Sequence, residues 1–410
     1  MAYDLVTDTP ESGGISSARL SRLEHHLATR YIDAGRLPCA LTLVHRRGRT
    51  VHLSVQGMAD RERGQALAHD SLFRIYSMTK PLTSIAFMML LEEGLVALDD
   101  PVTRFIPEWK DLGVYVGGVD PVFVTRPLAR PMLMVDLMRH TSGLTYGFQS
   151  RSNVDAVYRA KDLGAPGGKT SLEGMIAALA ALPLEFSPGD AWNYSVSTDV
   201  LGYLVGRISG QPFERFLQDR ILDPLGMSET GFQVPAGRAD RLAACYTADR
   251  TGAISLQDDP AKSSYLKPPV FVSGGGGLVS TAADYLKFTR MLLNRGELDG
   301  QRLISPKTLK LMTANHLPGG KDLASLSKSM FSEATNEGVG FGLGFATTLD
   351  PARTLLPGSA GDFYWGGAAG TYFWVDPAEE LIVIFMTQLT GSPLQLRREL
   401  RTMIYSAFTE

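Results

Sequence analysis

Ser77-Met78-Thr79-Lys80 sets a hydroxyl and an amine three residues apart, directly ahead of the apolar run PLTSIAFMMLLEEG. At i, i+3 both side chains share one face of a helix. Pro81 lacks an N–H and costs least in a first turn, so the helix is expected to start at or just before Ser77. The electropositive helix start favours an alkoxide on Ser77 and a neutral amine on Lys80. A free lysine has a pKa of ~10.4, so the site must also desolvate the amine if it is to act as a base near neutrality. The chemistry on offer is that of a serine nucleophile activated by a neighbouring lysine. Two further S-x-x-K stretches, at 264–267 and 325–328, lack this setting. Lys267 runs into Pro268-Pro269, and Ser325 lies in a polar stretch with no apolar helix behind it.

Tyr194-Ser195 in SPGDAWNYSVSTDV stands just before a helical pattern and presents a phenol able to hydrogen-bond both a lysine and a serine. Tyr364-Trp365-Gly366-Gly367-Ala368 brings two glycines to a strand, where a ligand can lie close and backbone N–H groups can point at it. An oxyanion hole needs such a donor. Taken singly, each piece has a plainer reading: a helix-capping serine, a core tyrosine, a glycine bulge. Other chemistries find less support. The stretch 164–170 imitates a phosphate-binding loop but is one residue short and contains Pro166. Gly274 to Gly277 reads as close backbone packing. No G-x-S-x-G elbow occurs, which counts against an α/β-hydrolase triad. His140, near Ser142, reads as structural at a helix end. No H-E-x-x-H is present and the other histidines are scattered, so no metal or other cofactor is expected.

The elements that must hold these groups are legible from periodicity. SSARLSRLEHHLATRYIDAG reads as a helix with Leu20, Leu23, Leu27 and Tyr31 on one face, capped by Ser16 or Ser17 and stopped by Gly35. Stretches 40–45 and 51–56 form a hairpin, with Val51, Leu53 and Val55 expected on one side. Stretches 371–375 and 381–386 read as two more strands, and the unbroken apolar run LIVIFM is expected to be central. The segment LQLRRELRTMIYSAF puts Leu396, Leu400, Met403 and Ala407 on one helical face. These features predict an α+β chain with one antiparallel sheet built from both ends and helices packed on it. Between 82 and 226 the periodic segments are mainly helical (82–93, 132–139, 171–182, 197–209 and 212–221). The expected division is a sheet domain from 1–81 and 268–410, with a mostly helical domain, 82–267, inserted. The polar stretch 318–338 reads as a surface loop or short helices.

Taken together and in order, these motifs resemble the serine β-lactamase and penicillin-binding-protein superfamily, nearest to class C β-lactamases and family VIII carboxylesterases. LDDPVTRFIPE, LMRHTSGL, LDPLGM and GGGGLVSTAADYLKFTRMLLNRG extend the resemblance over nearly the whole chain. It implies a β-lactamase/transpeptidase-like fold with the active site between the sheet and the helical part. It implies Ser77 as the acylated nucleophile, Lys80 as general base, Tyr194 as the tyrosine of Y-x-N, and the backbone N–H groups of Ser77 and Ala368 as oxyanion donors. Two departures bear on the substrate. Val196 stands where β-lactamases have asparagine, and Trp365-Gly366-Gly367 stands where they have K-T-G. The groups that would hold a β-lactam's acylamide and carboxylate are therefore missing, and a tryptophan offers an apolar wall instead. Family VIII esterases carry W-G-G here, so the resemblance implies a carboxylesterase acting on short-chain esters. An acyltransferase, a β-lactamase, a D-amino-acid peptidase or a non-catalytic binding protein of the same fold are the alternatives.

Bulk composition fits a folded enzyme. The 410 residues are 44% hydrophobic and 20% charged, and 40 basic against 43 acidic residues give a net charge of −3. No basic excess exists to grip nucleic acid or an anionic membrane. Cys39 and Cys245 read as free thiols of a reducing compartment. The opening residues MAYDLVTDTPESGG show no signal-peptide pattern, and the longest apolar stretch, 85–98, is broken by Glu92 and Glu93, so a cytoplasmic location is expected. The expected partner is a small-molecule ester, and the oligomeric state is not readable.

Overall fold

The apolar run LIVIFM becomes a fully buried strand in the computed structural model, which describes residues 5, 8–165, 167–328, 330, 336–391 and 395–410. Pro166, Leu394 and part of the polar stretch 318–338 lie outside the described residues. The strand belongs to an eight-stranded antiparallel sheet. Its members are β1 (Cys39–Arg46), β2 (Arg49–Asp60), β3 (Gln65–Ala66), β4 (Val339–Phe341), β5 (Ala346–Thr348), β6 (Phe363–Gly366), β7 (Tyr372–Asp376) and β8 (Leu381–Met386). Their spatial order is β4-β5-β6-β7-β8-β1-β2-β3. β8 lies beside β1, with Leu41 opposite Met386 and Arg46 opposite Leu381. The sheet thus joins segments from near both ends of the chain, as the fold class expected.

Alternation along β8 sorts its side chains between two cores. Ile382, Ile384 and Met386 face the core that holds α4 (Ala282–Leu293), whereas Leu381, Val383 and Phe385 face α1 (Ser17–Leu27) and α5 (Leu396–Tyr405). All residues of α2 (Thr79–Glu92) from Thr79 to Leu90 are buried, so this stretch of the helix presents no side to solvent. It packs against α3 (Ser197–Ser209), and a helix covered on all sides in this way lies in the interior. The Ser16 hydroxyl accepts from the Arg19 N–H and caps α1. In α5 the inward stripe is Leu396, Leu400 and Ile404, while Met403 is only half-buried. Arg401 is also buried there, paired with Asp362.

Two readings need correction. Val51, Leu53 and Val55 do not share a side. A bulge between Val44 and His45 leaves Val51 as the extra residue of β2, which turns it into the core beneath α1 while Leu53 and Val55 face the other way. The stretch read as mainly helical also contains hairpin strands, Val114–Val119 with Val122–Arg126 and Cys245–Ala248 with Ile254–Asp258. The five helices expected there are present at Thr79–Glu92, Met134–Met138, Leu172–Leu179, Ser197–Ser209 and Phe213–Leu217. Among the described residues no helix is long and apolar enough to cross a membrane.

Candidate active site

Ser77 sits in a single 3₁₀ turn, Tyr76–Met78, that runs straight into α2. Tyr76 enters this turn at φ = 41°, a left-handed conformation that costs a tyrosine on the order of 1 kcal/mol or more. The strain is held in place by its surroundings: the Tyr76 hydroxyl lies 3.9 Å from Cys245 Sγ. One helical turn on, Lys80 is 2% exposed, and its Nζ reaches Ser77 Oγ at 3.2 Å. The same Nζ donates to the Tyr146 hydroxyl at 3.0 Å and to the Gly275 carbonyl at 2.7 Å. Three acceptors match the three donors of an ammonium. The Lys80 amine is thus fully partnered, and one of its partners is the Ser77 hydroxyl.

Tyr194 is buried against this group. Its ring centroid is 4.5 Å from Lys80 Nζ, and its hydroxyl accepts from Trp365 Nε1 at 3.3 Å. Trp365 projects from β6 toward the Tyr194 ring, 5.5 Å away, and meets Phe341 edge-on at 5.3 Å. Each of the two glycines after it has a steric reason. A Cβ at Gly366 would strike the Arg397 guanidinium, and one at Gly367 would strike the backbone carbonyl of Ile75. The end of β6 is thereby drawn against the turn that carries Ser77. The Gly367 N–H is spent on the Thr371 carbonyl at 2.8 Å, and Ala368 follows as an exposed turn residue.

Contacts thus connect Ser77, Lys80, Tyr194 and Trp365 in succession, while Gly367 lies against the turn of Ser77 with Gly366 and Ala368 on either side of it. Val196 is not part of that surface. It is fully buried, its backbone N–H donates to Thr145, and its side chain packs where a Cβ on Gly164 would lie. The remaining S-x-x-K stretches are surface features: Ser264, Lys267, Ser325 and Lys328 are all exposed or nearly so, and Ser325 Oγ donates to Asp322 at 2.6 Å. His140 pairs with Ser195 Oγ at 3.2 Å and packs its ring on Tyr194, while Ser142 Oγ pairs with Ser197. Burial, with the Lys80 charge adding to it, holds His140 well below the usual histidine range, so it is a neutral packing partner. The loop-like stretch at 164–170 turns its Lys169 N–H to the Asp162 carboxylate.

Sequence reasoning missed Tyr146, Asp199 and Ser273. Asp199 is completely buried on α3. Its Oδ1 accepts from Ser273 Oγ at 2.6 Å and from the Gly275 N–H at 2.9 Å, and its Oδ2 accepts from the Tyr146 hydroxyl at 3.3 Å. The glycine run 274–277 is close packing, as expected: a Cβ on Gly275 would lie 2.6 Å from the Asp199 carboxylate. A buried acid in the first turn of an otherwise apolar helix was the signal available in the sequence. Phe148, more than half exposed, stacks on Tyr146 at 4.8 Å and carries the aromatic lining outward.

Residues 23–404 match the sequence profile of the family described as Beta-lactamase. Protein Rv1367c of Mycobacterium tuberculosis is 39% identical over 359 residues, covering 87% of each chain. Esterase EstB of Burkholderia gladioli is 31% identical over 392 residues, covering 90% of this chain and 91% of its own. Among solved structures, EstCE1, described as a hydrolase with promiscuous acyltransferase activity, superposes with a TM-score of 0.78 at 25% identity. That match covers 96% of this chain and 99% of EstCE1.

Proposed function

The chain belongs to the beta-lactamase family, and from that premise we propose that it is a serine carboxylesterase that cleaves short-chain esters through an acyl-enzyme on Ser77. The observation that carries the reading is the contact of Ser77 Oγ with a buried lysine amine at 3.2 Å, in a site walled by Trp365. Likeness to EstB and EstCE1 supports hydrolase chemistry.

In the proposed reaction Lys80 Nζ accepts the Ser77 proton as Oγ bonds to the ester carbonyl carbon. The carbonyl oxygen gathers negative charge opposite the backbone N–H groups of Ser77 and Ala368. Collapse of the tetrahedral intermediate breaks the bond to the alcohol oxygen, which takes a proton from Tyr194 or Lys80. Water then repeats the sequence on the acyl-enzyme and regenerates Ser77. Trp365 supplies an apolar contact for the acyl or alcohol group.

Acyl transfer differs only in that an alcohol replaces water in the second half. The promiscuous acyltransferase activity of EstCE1 favours it as the second reading. A cytoplasmic setting belongs to the same proposal, supported by two buried, unpaired cysteines. The test is intact-mass analysis after treatment with a phosphonate inhibitor, followed by nitrophenyl esters of graded acyl length with and without an added alcohol. One adduct mapped to Ser77 and turnover that falls with acyl length support the reading. Absence of the adduct, or faster turnover of nitrocefin than of nitrophenyl butyrate, overturns it.

A further inference from the structure

The base of this reaction is wired to a carboxylate that it does not touch. Lys80 Nζ and Asp199 form no direct ion pair among the described residues. Two bridges link them instead. Through Tyr146, one hydroxyl accepts from Lys80 and donates to Asp199. Through Gly275, the backbone N–H donates to Asp199 while the carbonyl accepts from Lys80. The glycine is required there, because a Cβ would lie 2.6 Å from the carboxylate and 2.8 Å from the Tyr146 hydroxyl. One bridge through a side-chain hydroxyl and one through the backbone of a single residue meet at the same acid, more than a core carboxylate needs in order to be satisfied.

We infer that Asp199 is a positioning residue for Lys80: acting through Tyr146 and Gly275, its anion holds the lysine as an ammonium and so sets the pH at which Ser77 becomes reactive. The inference rests on the reading of Ser77 as nucleophile and Lys80 as base. All three groups around the acid donate to it, which is the pattern a carboxylate wants and a carboxylic acid does not. Burial pushes the Asp199 carboxyl above its ordinary range, while the Lys80 charge and the donors from Ser273, Gly275 and Tyr146 pull it back. The groups facing Lys80 from other elements do not compete for this role. His140 is held neutral by burial. Tyr146 is pushed far up, by burial first and then by Asp199, and stays protonated. Tyr194 presents its ring face. Asp199 is the acid in this shell, and an anion close to an ammonium makes the proton harder to remove.

The expected behaviour runs against ordinary loss of function. Asp199→Asn keeps the shape and an acceptor for Ser273 and Gly275 but removes the charge. The acid limb of the Ser77 phosphonylation rate should move down by about one pH unit, making the variant about tenfold faster than wild type well below that limb. Tyr146→Phe removes one bridge and keeps the anion, so its limb should move the same way by less. Thermal melting of both variants reports folding, and Tyr146→Phe carries the test alone if Asp199→Asn does not fold. Limbs within about 0.2 unit of wild type, with the label still on Ser77, would overturn the inference and leave the esterase reading intact. A wild type that takes no label at Ser77 would overturn the esterase reading itself.

Discussion

Ser77 and Lys80 carry the sharpest predictions at the scale of single residues. Ser77→Ala and Lys80→Ala should each lower ester turnover by at least about a thousandfold with little change in melting temperature, and the double variant should be hardly worse, because the pair acts as one unit. Steady-state kinetics on nitrophenyl butyrate decide this, and an active Lys80→Ala would mean the base lies elsewhere. Tyr194→Phe should lose about two to four orders of magnitude, the range for a positioned proton donor. Trp365 and Val196, both departures from β-lactamases, separate in the structure. Trp365→Lys should weaken ester hydrolysis, since the indole lies against Tyr194. Val196→Asn instead buries an amide against Gly164 and should cost about 1–3 kcal/mol in urea unfolding, adding nothing on nitrocefin. The residues legible in the sequence were those whose partners are local or whose motif is short: Ser77 with Lys80, and Trp365 with its glycines. Tyr146, Asp199 and Ser273 come from three distant segments and meet only in the folded chain.

Among the elements, the strand end matters more than its place at one side of the sheet suggests. Gly367 lets β6 approach the carbonyl of Ile75, two residues before Ser77. Gly367→Ala must push backbone against backbone. It should lower kcat by about a hundredfold or more through displacement of the proposed oxyanion donors, with a smaller loss of melting temperature. Gly366→Ala meets the far end of the flexible Arg397 side chain first and the Thr371 carbonyl at 2.8 Å, against 2.4 Å for the Ile75 carbonyl at Gly367, and should be the milder of the two. Kinetics and melting curves of the two variants side by side check the contrast, and equal losses would remove Gly367 from its special place. Periodicity revealed the helices well, because α2 and α3 bury long apolar runs. It misplaced Val51, since a one-residue bulge inverts every side chain on one side of it and leaves no mark in the pattern. It also passed over the hairpin of Val114–Val119 and Val122–Arg126, whose valines Val116, Val122 and Val124 face solvent rather than a core.

On the scale of the molecule, the central strands carry an acid sensitivity. Burial lowers His45 and His52 to about 4, with Arg290 adding to the effect at His45. Glu24 lies 3.7 Å from His52, but it is more than a third exposed and screened by water, so burial dominates. Both histidines take up protons more readily in the unfolded chain, near pH 6.5, than in the folded one. Their contribution to stability is therefore complete above pH 6.5 and is lost as the pH falls from 6.5 toward 4, by up to a few kcal/mol in all. Urea midpoints at pH 7 and pH 5 should differ, and the difference should shrink in His45→Gln with His52→Gln. The overall class was readable because both chain ends supply strands. That same arrangement ties folding to synthesis. β1 is made long before its neighbour β8, which lies far along the chain from it. Until β8 leaves the ribosome, one edge of β1 has no native mate, and the hydrophobic LIVIFM segment arrives only after the long stretch between the two strands has emerged. An unmated edge of this kind invites pairing with other chains. Release of chains that stop before residue 381 should accordingly yield aggregates rather than partly active enzyme, and production in cells should lean on chaperones that shield nascent chains.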